Sequence, residues 1–162
     1  TMSFNGNFMC TSFKVELLKG MHDFTNGQDA FKIALYTDSA VPTNFGGSGT
    51  VMNHTVTNYA DSAQVGASGD YQTGGGTALT NTTPSNPGSG TTATTSFATK
   101  TWGSATITAR GAILYNTQAG GQNSTANAVL VLDFISDKSS SSGNFQINFP
   151  ANDASNAIIR IA

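Results

Sequence analysis

Charged residues are scarce in this chain. Lysine, arginine, aspartate and glutamate make up 10% of its 162 residues, whereas about a quarter is usual. Seven basic and nine acidic residues give a formal net charge of −2. The basic residues are scattered, so they form no patch that could grip phosphates, and no apolar run approaches the length of a membrane span. We therefore expect neither a nucleic-acid partner nor a membrane partner.

Cysteine and histidine are almost missing as well. Cys10 stands alone, which excludes an intrachain disulfide and favours a buried, idle thiol over a catalytic one. His22 and His54 are the two histidines, too few for a clustered nitrogen–sulfur metal site. His22 precedes Asp23, but sequence adjacency does not make a catalytic triad, and no Gly-x-Ser-x-Gly elbow occurs. The sequence thus predicts no enzyme, no catalytic, cofactor-binding or metal-ligating residues, and no cofactor.

The carboxylates offer only a weak case for chemistry. Glycoside hydrolysis needs two of them a few ångströms apart. The candidates are Asp61, Asp70, Asp133 and Asp137. Asp133 lies within an apolar run, so it is either perturbed by burial or paired with Arg110 or Arg160 at a sheet end. The polar stretch 137–144 lacks the acidic density of a calcium loop.

Alternation of apolar and polar residues is the strongest positive signal. It runs through Ser104–Asn116 and Gly143–Phe149, and the run Ala128–Phe134 between them is apolar on both faces. A period of two is typical of β-strands with one buried face. The stretches Gly120–Ser124 and Ser139–Gly143 are predicted as the connecting turns. The predicted core consists of Phe31, Ile33, Leu35, Ile107, Ile113, Val129, Val131, Phe145, Ile147 and Phe149.

One segment has helical periodicity. Phe13, Leu17, Met21 and Phe24 form a single stripe, which predicts a helix over residues 12–23 with Ser12 as its N-cap. Further strands are predicted at residues 30–37 and 158–161, and weak ones at 50–57, 71–73 and 92–98.

These patterns predict an all-β fold: an antiparallel β-sandwich, jelly-roll-like, with one short N-terminal α-helix. Residues 1–162 form a single domain, with an N-terminal arm (1–10) and long Gly/Ser/Thr-rich loops (38–101). The arm is apolar enough to dock onto its own core or onto a neighbour. The candidate partner-contact residues are Phe4, Phe8, Met9 and Trp102.

Aromatic residues raise a second possibility for binding. Trp102, Tyr59, Tyr71 and Tyr115 could form a platform on which a sugar stacks. Tyr115 has the parity of the core and is interpreted as structural, whereas Trp102 begins a strand and is expected to be half-exposed.

The two ends of the chain resemble small virion proteins encoded by tailed bacteriophages. The resemblance lies in residues 13–24 with 31–40, and in residues 106–116 with 131–134, 137–138 and 156–161. It covers about half of the chain and leaves out the glycine-rich middle. The resemblance implies a structural particle protein, of the cement or decoration type that clamps a capsid lattice.

We therefore expect a virion protein on the capsid surface that binds the major capsid protein and forms a homo-oligomer, with a trimer favoured. The alternative is a tail, baseplate or fibre component that binds host glycans through Trp102 and loop tyrosines. A third possibility, a small hydrolase, would depend on His22, His54 or Asp133.

Overall fold

A computed structural model describes residues 2–162; Thr1, at the start of the predicted arm, lies outside the described residues. The described residues form seven strands and one α-helix. In chain order these are β1 (Phe8–Met9), α1 (Thr11–Leu18), β2 (Phe31–Tyr36), β3 (Asn81–Ser85), β4 (Ala93–Phe97), β5 (Lys100–Asn116), β6 (Asn127–Ile147) and β7 (Ile159–Ile161). Short 3₁₀ turns lie at Pro42–Phe45, Thr73–Gly75, Pro87–Ser89 and Ala119–Gly121.

The strands form two antiparallel sheets. One has four strands in the order β1-β6-β5-β2, and the other has three in the order β3-β4-β7. Aromatic packing joins them: the ring of Phe31 on β2 lies 5.8 Å from that of Phe97 on β4 and 4.4 Å from that of Phe24. The predicted all-β, two-layered architecture with a single short helix is confirmed.

Most predicted strands are present, with different bounds. The predictions at 30–37, 92–98 and 158–161 correspond to β2, β4 and β7. The weak strands predicted at 50–57 and 71–73 are wrong, since Met52 and Tyr71 make only isolated bridges. β3, which pairs with β4, was not predicted.

β5 and β6 form one long hairpin, which corrects the prediction of a turn at residues 139–143. Ser139 and Ser140 pair with Thr108 and Ile107 inside the ladder. The hydroxyls of Thr108 and Ser139 lie 2.9 Å apart, so serine side chains join the strands where a turn was expected.

The β5–β6 hairpin bends sharply at an irregularity. Between the pairs Gly111↔Asp133 and Ala109↔Lys138, β6 takes more residues than β5. Such an excess is a bulge, which bends the strand. Two further register shifts lie between Trp102 and Ala105 and between Ala105 and Ile107. With these irregularities the rings of Phe134 and Phe145 lie 6.4 Å apart, although a straight strand would separate them by roughly 36 Å at about 3.3 Å per residue.

The helix is shorter than its apolar stripe. It ends at Leu18 because the amide of Met21 donates to Glu16 O and that of Gly20 donates to Leu17 O, both over 3.0 Å. This is the Schellman pattern that closes helix C-termini. Ser12 is not the N-cap; Cys10 occupies that position without a side-chain cap. The stripe still points inward, since Phe13 and Phe24 are buried.

The predicted arm packs against its own chain. Phe4 is fully buried, and its ring lies so close to Gly111 that an added Cβ there would sit 2.5 Å from a ring carbon. Met52 N donates to Ser3 O over 2.8 Å. β1 then pairs with Leu130 and Val131 of β6. The head of the chain is therefore part of the domain.

The glycine-rich middle is closely packed against the four-stranded sheet. Tyr71 accepts a hydrogen bond from Leu35 N over 2.9 Å, and Trp102 Nε1 donates to Gly75 O over 3.0 Å. Gly75 has a φ of +98°, and a Cβ there would lie 2.1 Å from Ile33 O. Glycine is needed at that position because only it allows this close approach.

The predicted core is confirmed in eight of its ten members. Ile147 and Phe149 are only partly buried and lie at the border of the core. The reason is the bend in β6, which carries its last residues along an open side of the domain.

Candidate functional site

A concavity lies along β6 and is here called the β6 groove. It combines a part of about 510 Å³ with an adjoining part of about 200 Å³, and the two parts share Asn7, Leu132 and Ile158. Its apolar lining consists of Phe8, Met9, Leu130, Leu132, Phe134, Phe145, Ile147, Phe149 and Ile158. Ligand sites are typically concave and apolar, with a few polar groups.

The β6 groove gathers most of the half-buried apolar side chains. Of the eleven that border the core, seven line it. They are Phe8, Met9, Leu132, Phe134, Ile147, Phe149 and Ile158. Apolar surface collected in one place marks an interaction site, whereas scattered exposed apolar residues carry no such meaning.

Polar groups in the β6 groove are mostly uncharged. They include Asn7, Asn144, Gln146 and Asn148, amides that both donate and accept hydrogen bonds. Gln146 Nε2 donates to Thr101 Oγ1 over 2.9 Å. A groove of this composition suits an uncharged ligand that has its own hydrogen-bonding groups.

The one close ion pair at the groove is satisfied within the chain. Asp133 pairs with Arg110, as one of the sequence alternatives predicted. Burial opposes ionisation of Asp133, but hydrogen bonds from the amides of Gly6 and Ile135, together with Arg110, outweigh it. The pKa of Asp133 therefore lies below its usual value. Arg110 also donates to Phe4 O over 3.3 Å, so the pair holds the head of the chain.

A strained residue lies beside this ion pair. Ile135 has a φ of +70° and its side chain is 82% exposed. A β-branched residue rarely adopts such a conformation. Its amide donates to Asp133 Oδ1 over 2.7 Å, which holds the backbone there. Ile135 is thus an apolar side chain fixed in an outward position at the bend.

Helix α1 presents a second apolar surface. Val15 and Leu18 are spaced for one helix face and are exposed, Leu18 by 91%. Lys14 and Lys19 are exposed on either side of them. This face has no partner in residues 2–162.

The four predicted contact residues divide into two pairs. Phe8 and Met9 line one end of the β6 groove, where a ligand can reach them. Phe4 and Trp102 are out of a partner's reach, since Phe4 is 0% and Trp102 1% exposed. The predicted half-exposure of Trp102 is wrong, and Phe4 takes the predicted alternative of docking onto the chain's own core. Phe4 is buried against Gly111, and Trp102 packs edge-on against Tyr71 at 5.3 Å. The groove itself was not predicted, because it arises from the bend in β6.

Most of the aromatic residues predicted to form a sugar-binding platform are not accessible. Trp102, Tyr71 and Tyr115 are buried, so the interpretation of Tyr115 as structural is confirmed. Tyr59 is half-buried and stacks on Tyr115 with ring centroids 4.5 Å apart. One partly accessible tyrosine face remains, beside a cavity of about 480 Å³ that also contains Lys32.

Two of the candidate chemical groups, His22 and Cys10, are occupied by structural contacts or buried. The side-chain amide nitrogen of Asn116 can only donate, so His22 Nδ1 accepts that hydrogen bond. The ring proton then lies on His22 Nε2, which donates to Glu16 over 2.6 Å. Neither ring nitrogen is left to activate a hydroxyl. Cys10 is buried, and burial, assisted by nearby Glu16, raises the pKa of its thiol to about 12.

Two further observations concern the described residues. Within 2–162 no three histidine, cysteine, aspartate or glutamate side chains lie together as a metal site would need. No helix in this range has the length and apolarity needed to cross a membrane.

Comparison with other proteins adds no assignment. No family model, curated protein or solved structure matches this chain significantly.

Proposed function

We propose that this chain is a structural protein of a tailed-bacteriophage particle. It binds the outer surface of the capsid and stabilises the shell as a cement, or decoration, protein. The resemblance of its two ends to small phage virion proteins motivates the proposal. The structural observation that carries it is the β6 groove, in which seven half-buried apolar side chains are gathered at one open side of the domain.

A partner that covers this groove would gain apolar contact. Burial of apolar surface contributes roughly 25 cal/mol per Å². Ile135, beside the groove, adds an apolar side chain that is 82% exposed, and Leu18 on α1 adds one elsewhere that is 91% exposed. Several separate contact points suit a protein that touches more than one subunit of a lattice, because multivalent contact strengthens retention without any single strong site.

The major capsid protein is the proposed partner, and a homo-oligomer, with a trimer favoured, is the proposed form. With few charges of its own, the chain has little long-range electrostatic attraction to guide it. Contact area and valency would have to supply the affinity instead.

Adding the protein back to shells that lack it tests the proposal. Purified chain is mixed with such shells, and the temperature at which they disrupt is measured by light scattering and release of packaged DNA. We expect saturable binding and a higher disruption temperature. An unrelated protein of similar size and net charge is the control. Shells that neither bind the chain nor gain heat resistance would contradict the proposal.

A tail, baseplate or fibre component that binds host glycans is the second candidate. It retains only the Tyr59 face and the adjoining cavity with Lys32, since Trp102 and Tyr71 are buried. A glycan array probed with the purified chain tests it. Specific binding that Tyr59→Ala abolishes would favour this candidate over the cement role.

A further inference from the structure

Among residues 2–162, one side of β6 has no strand beside it over most of its length. β1 pairs with β6 only at Leu130 and Val131. At the next outward position Asn7 Oδ1 accepts from Asp133 N over 2.7 Å, which ends the pairing. In residues 2–162, β6 beyond this point has β5 as its only strand neighbour. An open strand side is a template on which another extended chain can pair.

Contrast with β2 shows that the opening is local. The outer side of β2 is covered by the middle of the chain: Val65 N donates to Leu35 O over 3.0 Å, and Leu79 N donates to Phe31 O over 2.7 Å. The two edges of the four-stranded sheet, at β2 and at β6, therefore differ. One is closed by the chain itself, and the other is open beside the β6 groove.

Side chains at the end of β6 and in the two residues after it alternate in a way that suits an extended ligand. Phe145, Ile147 and Phe149 are buried or half-buried, whereas the amides between them are exposed. An added strand places alternate side chains on one face. Its apolar side chains would meet the phenylalanines, and its polar atoms would meet amide groups.

Charge defines the ligand further. Asp133 is paired with Arg110, and Lys138 Nζ donates to Ser136 Oγ over 3.0 Å. Lys138 is exposed and keeps its positive charge, because its partner is a neutral hydroxyl, so an acidic side chain would find an opposite charge only there. Among the phenylalanine and isoleucine side chains of the groove, a charged side chain would lose water without gaining an opposite charge, which is costly. The groove therefore favours a segment whose inward face is apolar and uncharged.

We propose that the β6 groove binds an extended, uncharged segment of a partner protein as an added strand, with alternate apolar side chains against Phe134, Phe149 and Ile158. This inference rests on the proposed function in one respect: the partner segment is assigned to the major capsid protein. Pairing takes place along β6 beyond Asp133.

Short overlapping peptides tiled across the major capsid protein of the same particle are the probe. Their binding to the purified full-length chain is measured by fluorescence anisotropy, and hydrogen exchange follows the β6 amides. The main variant, Ile158→Glu, places a charge where the two parts of the groove meet. Gln146→Glu adds a charge at an exposed groove position, with little risk to folding. Gln122→Glu, the same change on the exposed hairpin loop, is the matched control.

We expect an uncharged segment to bind and to slow exchange at β6 amides beyond Asp133. Ile158→Glu should weaken binding by about tenfold or more, which corresponds to about 1.4 kcal/mol, and Gln146→Glu should weaken it several-fold. Gln122→Glu should bind as the unchanged chain does. The thermal unfolding of each variant shows whether it is folded. If Ile158→Glu does not fold, Gln146→Glu still tests the groove.

Several results would overturn the inference. Shells that bind the chain while no peptide does would locate the contact elsewhere and leave the proposed function standing. Peptide binding that neither Ile158→Glu nor Gln146→Glu weakens would also locate the contact outside the groove. Concentration-dependent self-association that Ile158→Glu abolishes would assign the groove to a second copy. Groove-dependent peptide binding by a chain that ignores intact shells would instead preserve the groove and refute the cement role.

Discussion

Phe4 provides the sharpest test of how the head of this chain is used. It is fully buried, its ring covers Gly111, and its carbonyl accepts from Arg110. Truncating a buried phenylalanine costs about 3–5 kcal/mol. We expect Phe4→Ala to lose that much free energy of unfolding. At about 2–4 °C per kcal/mol for a chain of this length, the melting temperature should fall by roughly 6–20 °C.

Urea unfolding followed by fluorescence is the assay. Trp102 is the sole tryptophan of the chain and is buried, so its emission reports unfolding directly. Met2→Ala is the control: its side chain is 59% exposed, and a change of less than about 0.5 kcal/mol is expected there. A loss below about 1 kcal/mol for Phe4→Ala would refute the account, because the head would then be a detachable arm.

Three further predictions concern single positions. Because the pKa of Asp133 is lowered, its stabilising effect is present at neutral pH and is lost as the pH falls below about 4. The Asp133→Asn variant should therefore have a lower free energy of unfolding at neutral pH, and this free energy should fall less on acidification than that of the unchanged chain. Urea titrations at several pH values measure both effects. If the variant and the unchanged chain lose the same free energy on acidification, this role of Asp133 is excluded. Gly75→Ala should destabilise the chain far more than Gly88→Ala in thermal melts, since both have positive φ but only Gly75 would bring a Cβ to 2.1 Å from a backbone oxygen; equal losses would show that φ alone matters. Cys10, buried with a thiol pKa of about 12, should resist iodoacetamide at neutral pH until urea unfolds the chain, and rapid labelling of the native protein would contradict its burial.

Local pattern predicted the strands well, because the alternation in residues 104–109 reports directly which face is buried. Ala105, Ile107 and Ala109 are buried, while Thr106 and Thr108 are exposed. The same reasoning failed at 139–143, where a serine run typical of a turn is held in the ladder by cross-strand hydroxyl contacts. The composition of residues 139–143 favours a turn, but pairing with β5, which is distant in sequence, holds them in a strand instead.

The candidate site depended on contacts that no local pattern contains. Trp102 was expected to be half-exposed, but it is buried against Gly75 and Tyr71, which are distant in sequence. The β6 groove depends on the bend of β6, whose pairing with β5 is irregular at several points and whose Phe134 and Phe145 lie close together. Sequence reasoning named Phe8 and Met9 as contacts from their apolar character alone. It could not place them beside Ile158, since that requires the folded chain.

Copy number in purified particles tests the central claim most directly. Quantitative mass spectrometry of intact virions measures this chain relative to the major capsid protein. The cement role predicts a copy number that scales with the capsid lattice, and labelling that covers the shell in electron micrographs. A few copies confined to the tail or its vertex would contradict the cement role and favour the glycan-binding alternative.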